Sequence, residues 1–103
     1  MKGFVISDNH DTLVLLKLAG IDGVSVHGRE ETLKAFKEAL AMEDLGILLM
    51  TEIAAEAIPE KVKETRASAV LPLLIEIPDR HGTRRGKDFL SRYIRDAIGV
   101  KLD

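Results

Sequence analysis

Apolar residues fall along this chain in two rhythms. Phe4-Val5-Ile6, Val24-Ser25-Val26, Ile47-Leu48-Leu49-Met50 and Leu73-Leu74-Ile75-Glu76-Ile77 are short, apolar and partly β-branched. Each lies near turn residues such as Asp8, Gly23, Gly46 or Pro78, and together they predict four strands. Between them the spacing is helical. In the first intervening stretch Asp8 or Asn9 can cap, Leu13, Leu16 and Ala19 can face the sheet, and Gly20 stops the helix. In the second, Leu33, Phe36 and Leu40 share one face, with Arg29, Glu30, Glu38 and Glu43 toward water.

The third stretch contains Pro59. A proline inside a regular helix removes a hydrogen bond and clashes with the preceding turn, at about 3 kcal/mol. The expectation is a break at Ile58, with Pro59 opening a second short helix.

Strand alternating with helix implies parallel pairing, because each connection is long enough to cross over the sheet. Near-continuous apolar strands fit a sheet covered on both faces. The predicted fold is therefore α/β, a four-stranded parallel sheet with helices on both faces, of flavodoxin- or receiver-like topology, followed by a C-terminal amphipathic helix. Residues 1–78 form the sheet domain and 79–103 a loop and terminal helix, within one structural domain.

That terminal segment has its own pattern. Phe89, Leu90, Tyr93, Ile94, Ala97 and Ile98 make an apolar stripe along a helix from about Lys87 to Ile98, which Gly99 would end. The stripe either covers one sheet face or docks on another helix, with Arg92 and Arg95 flanking the seam. Charge sharpens the contrast. Net charge is −2, yet from Arg80 onward seven cations (Arg80, Arg84, Arg85, Lys87, Arg92, Arg95, Lys101) meet only Asp88, Asp96 and Asp103. The tail is therefore +4 and the rest −6.

Composition narrows the chemistry. With 103 residues, 46% apolar content and a mean hydropathy near zero, the chain reads as one packed domain. There are no cysteines, so disulfides, thiolate metal sites and cysteine nucleophiles are out of reach. Gly46-Ile47-Leu48-Leu49-Met50 is far shorter than the roughly 20 apolar residues that cross a bilayer, and Met1 to Ser7 lacks a signal-peptide layout. A soluble, cytoplasmic protein is expected.

An α/β sheet directs attention to the loop after its first strand, Ser7-Asp8-Asn9-His10-Asp11-Thr12. It holds no glycine for close backbone approach and two carboxylates that would repel phosphate, so neither a dinucleotide fingerprint nor a P-loop is present. Asp8, His10 and Asp11 offer metal-ligand donor types, but aspartate and asparagine lead the preference order at helix caps, and the loop reads as a capped helix start. A receiver domain would carry an acceptor aspartate at the end of the third strand, where this chain has Leu49-Met50-Thr51-Glu52, with Thr51 suited to cap a helix. His27 and His81 sit beside glycines without a nucleophile in view, and Arg84-Arg85-Gly86-Lys87 reads as a solvated helix entry rather than a nucleic-acid patch.

One ordered set of segments carries a resemblance: Ser7-Asp8, Leu18-Ala19-Gly20-Ile21, Gly46 to Glu52, Leu73 to Asp79, and Ile94 to Leu102. In this order they resemble the F subunit of the archaeal and bacterial V/A-type ATPases, with a departure at Ser7, where that family often has glycine. The resemblance implies a non-catalytic central-stalk rotor subunit that contributes to coupling ATP synthesis or hydrolysis with ion transport. It implies no catalytic residue, no cofactor and no metal. The partner it implies is the coiled coil of the D subunit, within the complex of A/B head and membrane ring on the cytoplasmic side of the membrane. Neither nucleic acid nor direct membrane insertion is implied. The docking element would be the helix bearing Phe89, Leu90, Arg92, Tyr93, Ile94, Arg95, Ala97 and Ile98. The competing expectation is a small receiver- or flavodoxin-like signalling or ligand-binding domain.

Overall fold

A computed structural model describes residues 2–68 and 70–78. The order of elements is β1 (Lys2–Ser7), α1 (His10–Leu18), β2 (Asp22–Ser25), α2 (Gly28–Leu40), β3 (Leu45–Thr51), α3 (Glu52–Ala57), α4 (Pro59–Ala67) and β4 (Leu73–Ile77). All pairings are parallel, in the order β2-β1-β3-β4. The expected α/β class and four-stranded parallel sheet are both present. The expected C-terminal helix, and every docking residue from Phe89 to Ile98, lies outside the described residues.

Alternation along the strands sorts the core onto two faces. Ile6, Leu48, Met50 and Leu74 pack with Phe36, Ala39, Ala54, Ala55, Ile58 and Val62 from α2, α3, α4 and the joint between them. On the opposite face Val5, Leu49 and Ile77 pack with Leu16 of α1, flanked by Leu13, Leu15, Ile21, Ile47 and Ile75. The register slips between Lys2 and Gly3, so that Leu45 lies opposite Lys2 and Ile47 opposite Gly3. The extra residue is Gly46, and the slip lets Leu45 join the same face as Leu48, three positions on.

Local chemistry explains where the helices begin and end. Asn9, rather than Asp8, caps α1: its Oδ1 accepts from the Thr12 amide at 2.8 Å. At the other end Gly20, at φ +89°, follows the cap residue Ala19. The Gly20 and Ile21 amides donate to Lys17 and Leu16 carbonyls at 3.0 and 2.9 Å, a Schellman turn in which Ile21 packs near Leu16. Proline also acts as expected. Pro59 opens α4, and Ile58 breaks the run at φ −136°, ψ 58° while its side chain is fully buried.

Two sequence expectations fail. Ala19 is exposed because it ends α1 at the rim instead of facing the sheet. Leu40 is 42% exposed, since the buried stripe of α2 is Thr32, Ala35, Phe36 and Ala39. The second strand also begins earlier than expected, at Asp22, and Val26 follows it with its amide donating to the Ser7 carbonyl oxygen at 2.8 Å.

Candidate functional site

In this sheet the ends of β1, β2 and β3 and the starts of α1, α2 and α3 meet at one pole, where α/β proteins place ligand sites. Ser7 organises the first loop. Its Oγ donates to the Asn9 carbonyl at 2.7 Å and accepts from the Asn9 amide at 3.0 Å, closing the turn that sets the cap. Thr51 ties this loop to the next one: its Oγ1 accepts from the Asp8 amide at 3.1 Å and from the Ala54 amide at 3.4 Å. At the start of α2, Gly28 has φ +84°, Thr32 Oγ1 donates to its carbonyl at 2.6 Å, and the His27 amide donates to Glu31 Oε1 at 3.0 Å. The sequence alone gives Ser7 no role beyond its place in the loop; the available signal is a hydroxyl residue two positions before an asparagine cap.

These loops leave a crevice of about 160 Å³ lined by Asp8, Val26, His27, Gly28, Thr32, Ile53, Ala54 and Ala57. It is smaller than the roughly 300–1,000 Å³ of small-molecule sites. A phosphate site also needs amide donors pointing into it. Here the amides of Asp8, Asn9, Thr12, His27 and Ala54 donate instead to side-chain oxygens of the protein. At the receiver acceptor position stands Thr51, 2% exposed and engaged as a cap, followed by the exposed Glu52. The structure therefore separates Asp8, His10 and Asp11 into cap-loop and helix-entry positions, and among the described residues no three His or carboxylate side chains assemble as a metal site.

A second surface lies at the other pole, around the turn into β4. Val70, Leu71 and Leu73 are 73%, 59% and 55% exposed. Leu73 shares the α1 face of the sheet with Ile75 and Ile77 by strand alternation, so apolar surface runs along β4 on that face. Among the described residues no helix is long and apolar enough to cross a membrane.

The profile of the ATP synthase (F/14-kDa) subunit family matches residues 4–94, most of the chain. The chain belongs to that family. Its curated relatives agree in length as well as sequence. The F subunit of the A-type ATP synthase of Methanocaldococcus jannaschii is 35% identical over 103 residues, covering 99% of both chains. Those of Pyrococcus furiosus and Thermococcus gammatolerans are 35% and 36% identical over 107 residues, covering 99% of this chain and 98% of each relative. For a member of the ATP synthase F/14-kDa family, the small crevice and the engaged amides are those of a capped, braced sheet end.

Proposed function

We propose that this protein is a non-catalytic subunit of an A-type ATP synthase, placed on the central stalk at the cytoplasmic side of the membrane and bound to the coiled coil of the D subunit. The observation that carries the reading is similarity to F-subunit proteins along nearly the whole of both chains. Such a protein acts mechanically. A rigid sheet domain adds contacts to a rotating shaft, and an amphipathic tail engages a helix groove through anchors three and four residues apart. The anchors are Phe89, Leu90, Tyr93, Ile94, Ala97 and Ile98, with Arg92 and Arg95 setting orientation and encounter. Through these contacts the protein contributes to coupling ATP synthesis or hydrolysis with ion movement.

The test is binding of the purified chain to the co-expressed D-subunit coiled coil, with and without the residues after Gly86. Binding lost on truncation supports docking through the C-terminal segment. Binding retained by the truncated chain moves the interface to the sheet domain. Binding by neither form removes the D subunit as the partner and leaves the contact to another subunit of the complex.

A further inference from the structure

We propose that α4 is a latched strap: an ion pair holds each of its ends, and it opens as a unit about the Ile58 joint while the sheet beneath stays folded. The strap is a property of the sheet domain itself and is independent of stalk membership.

α4 is thinly anchored. Of its nine residues only Val62 is buried, while Pro59, Glu60, Lys63, Glu64, Arg66 and Ala67 are exposed. α2, by contrast, buries Thr32, Ala35, Phe36 and Ala39. A hollow of about 320 Å³ lies between α4 and Ala55, Glu56 and Glu76, and a second of about 180 Å³ lies between its last turn and Val70, Leu71 and Leu73. Helix and sheet therefore meet over little apolar area, which is the character of segments that open well below the free energy of global unfolding.

The helix has little stability of its own. Isolated helices shorter than about 12 residues are marginal in water. No side chain caps its start, since Ile58 in the cap position carries no acceptor. The Lys61 and Val62 amides both donate to the Ile58 carbonyl oxygen at 3.1 Å, so the first turn hangs on the residue at the break. The ion pair within the helix, Lys61 with Glu64 at 3.8 Å, is long and exposed.

Its ends are held from outside. Glu60 in the first turn pairs with Arg29 of α2, and Arg66 in the last turn pairs with Glu76 of β4 at 2.8 Å. Both pairs are reached by solvent, so each shifts the opening equilibrium by a factor of up to about five and is screened by salt. Ile58 supplies the joint. It stands at φ −136°, ψ 58° with its side chain fully buried, so it stays in the core when the helix beyond it swings. Opening withdraws Val62 from the cluster that includes Ala55, Ile58 and Leu74, and ionic strength sets how often that apolar surface is uncovered.

The test is native-state amide hydrogen exchange of the full chain, followed residue by residue by NMR. Protection of the Val62 to Ser68 amides is expected to be at least about tenfold lower than that of Val5, Ile6, Leu48 and Leu49. Raising salt from about 50 to about 500 mM is expected to lower it further, by up to about fivefold, with the strand amides unchanged. Arg29→Gln and Arg66→Gln are each expected to lower it at the lower salt, and the double variant is expected to lose the salt response. Protection of α4 equal to that of the strands, a salt response or variant effect shared by helix and strands, or insensitivity of α4 to both substitutions would each overturn the proposal.

Discussion

Arg29 Nη1 donates to the carbonyl oxygen of Ala57 at 3.1 Å, and the same guanidinium pairs with Glu60. Ala57 is the last residue of α3 and Glu60 lies in the first turn of α4, so one side chain on α2 braces both sides of the break at Ile58. The break creates the need, because carbonyls at a helix end lack intrahelical donors. Arg29→Ala is expected to lower the thermal midpoint. Arg29→Lys is expected to recover only part of it, since a single ammonium cannot serve both acceptors as a planar fork does. Thermal unfolding followed by circular dichroism checks the order.

The same pair gives a pH dependence with a defined sign. The hydrogen bond from Arg29, then a backbone hydrogen bond, and to a smaller extent the charges of Arg29 and Lys61, hold the Glu60 carboxyl below its ordinary range against some desolvation, and Glu60 holds Arg29 above its own. A depressed folded-state value means a stabilising contribution that is fully present above the unfolded value and is lost as pH falls through the folded one. The thermal midpoint of wild type minus that of Glu60→Gln should be constant near neutral pH and shrink below about pH 4. A gap that widened on acidification would contradict the pairing.

Gly23 lies opposite Val5 on the α1 face of the sheet. A β-carbon there would collide with the Val5 side chain and carbonyl oxygen and lie 2.9 Å from Leu13 Cδ1. The obstacle includes backbone, which cannot step aside as a flexible side chain does. Gly23→Ala is expected to destabilise by at least about 1–3 kcal/mol, the usual cost of overpacking. Urea unfolding measures it, and a loss under about half a kcal/mol would show that β2 shifts freely.

Thr51 accepts one amide from the first loop and one from the first turn of α3 while almost wholly buried. Thr51→Val keeps the volume and removes the acceptor, leaving the Asp8 and Ala54 amides to find other partners. The expected cost is about 1–3 kcal/mol. Thr51→Ser should restore most of it, and failure of that rescue would assign the effect to the methyl group rather than the hydroxyl.

For the proposed stalk interface, Tyr93→Ala/Ile94→Ala should weaken binding to the D-subunit coiled coil more than charge reversal at Arg92 and Arg95, because desolvated anchors dominate helix docking. The charge-reversed chain should lose affinity in a salt-dependent way between about 50 and 500 mM. Normal binding by the alanine variant would leave the helix with a sheet-covering role alone, and salt-independent binding would remove the electrostatic part.

Much of the fold was legible in the sequence wherever its cause was local. The Pro59 break follows from a missing amide and a ring clash. The stop at Gly20 follows from a left-handed φ, and the cap choice narrowed to Asp8 or Asn9 because only short polar side chains reach back to the first amides. Parallel strands followed from crossover length and from runs apolar on both faces. The acidic, glycine-poor first loop already argued against phosphate, and the structure adds the reason that its amides are engaged.

Other features had no local signature. Asn9 prevailed over Asp8 because the Ser7 turn places its Oδ1 over the Thr12 amide. Leu40 turned outward because Thr32, Ala35, Phe36 and Ala39 form the stripe that α2 buries, a choice made by how the helix packs on the sheet and not by local spacing.

By itself the sequence determined the kinds of sheet-domain elements, their succession, the helix ends at Gly20 and Pro59, and the family, since propensity, capping and ordered similarity reside in the residues themselves. Tertiary structure decided the order β2-β1-β3-β4, the glycine at position 23, the bridge from Arg29 to Ala57 and the gathering of acidic helix starts at one pole. Those depend on contacts between residues far apart in the chain, whose geometry exists only once strands pair and helices cross over them.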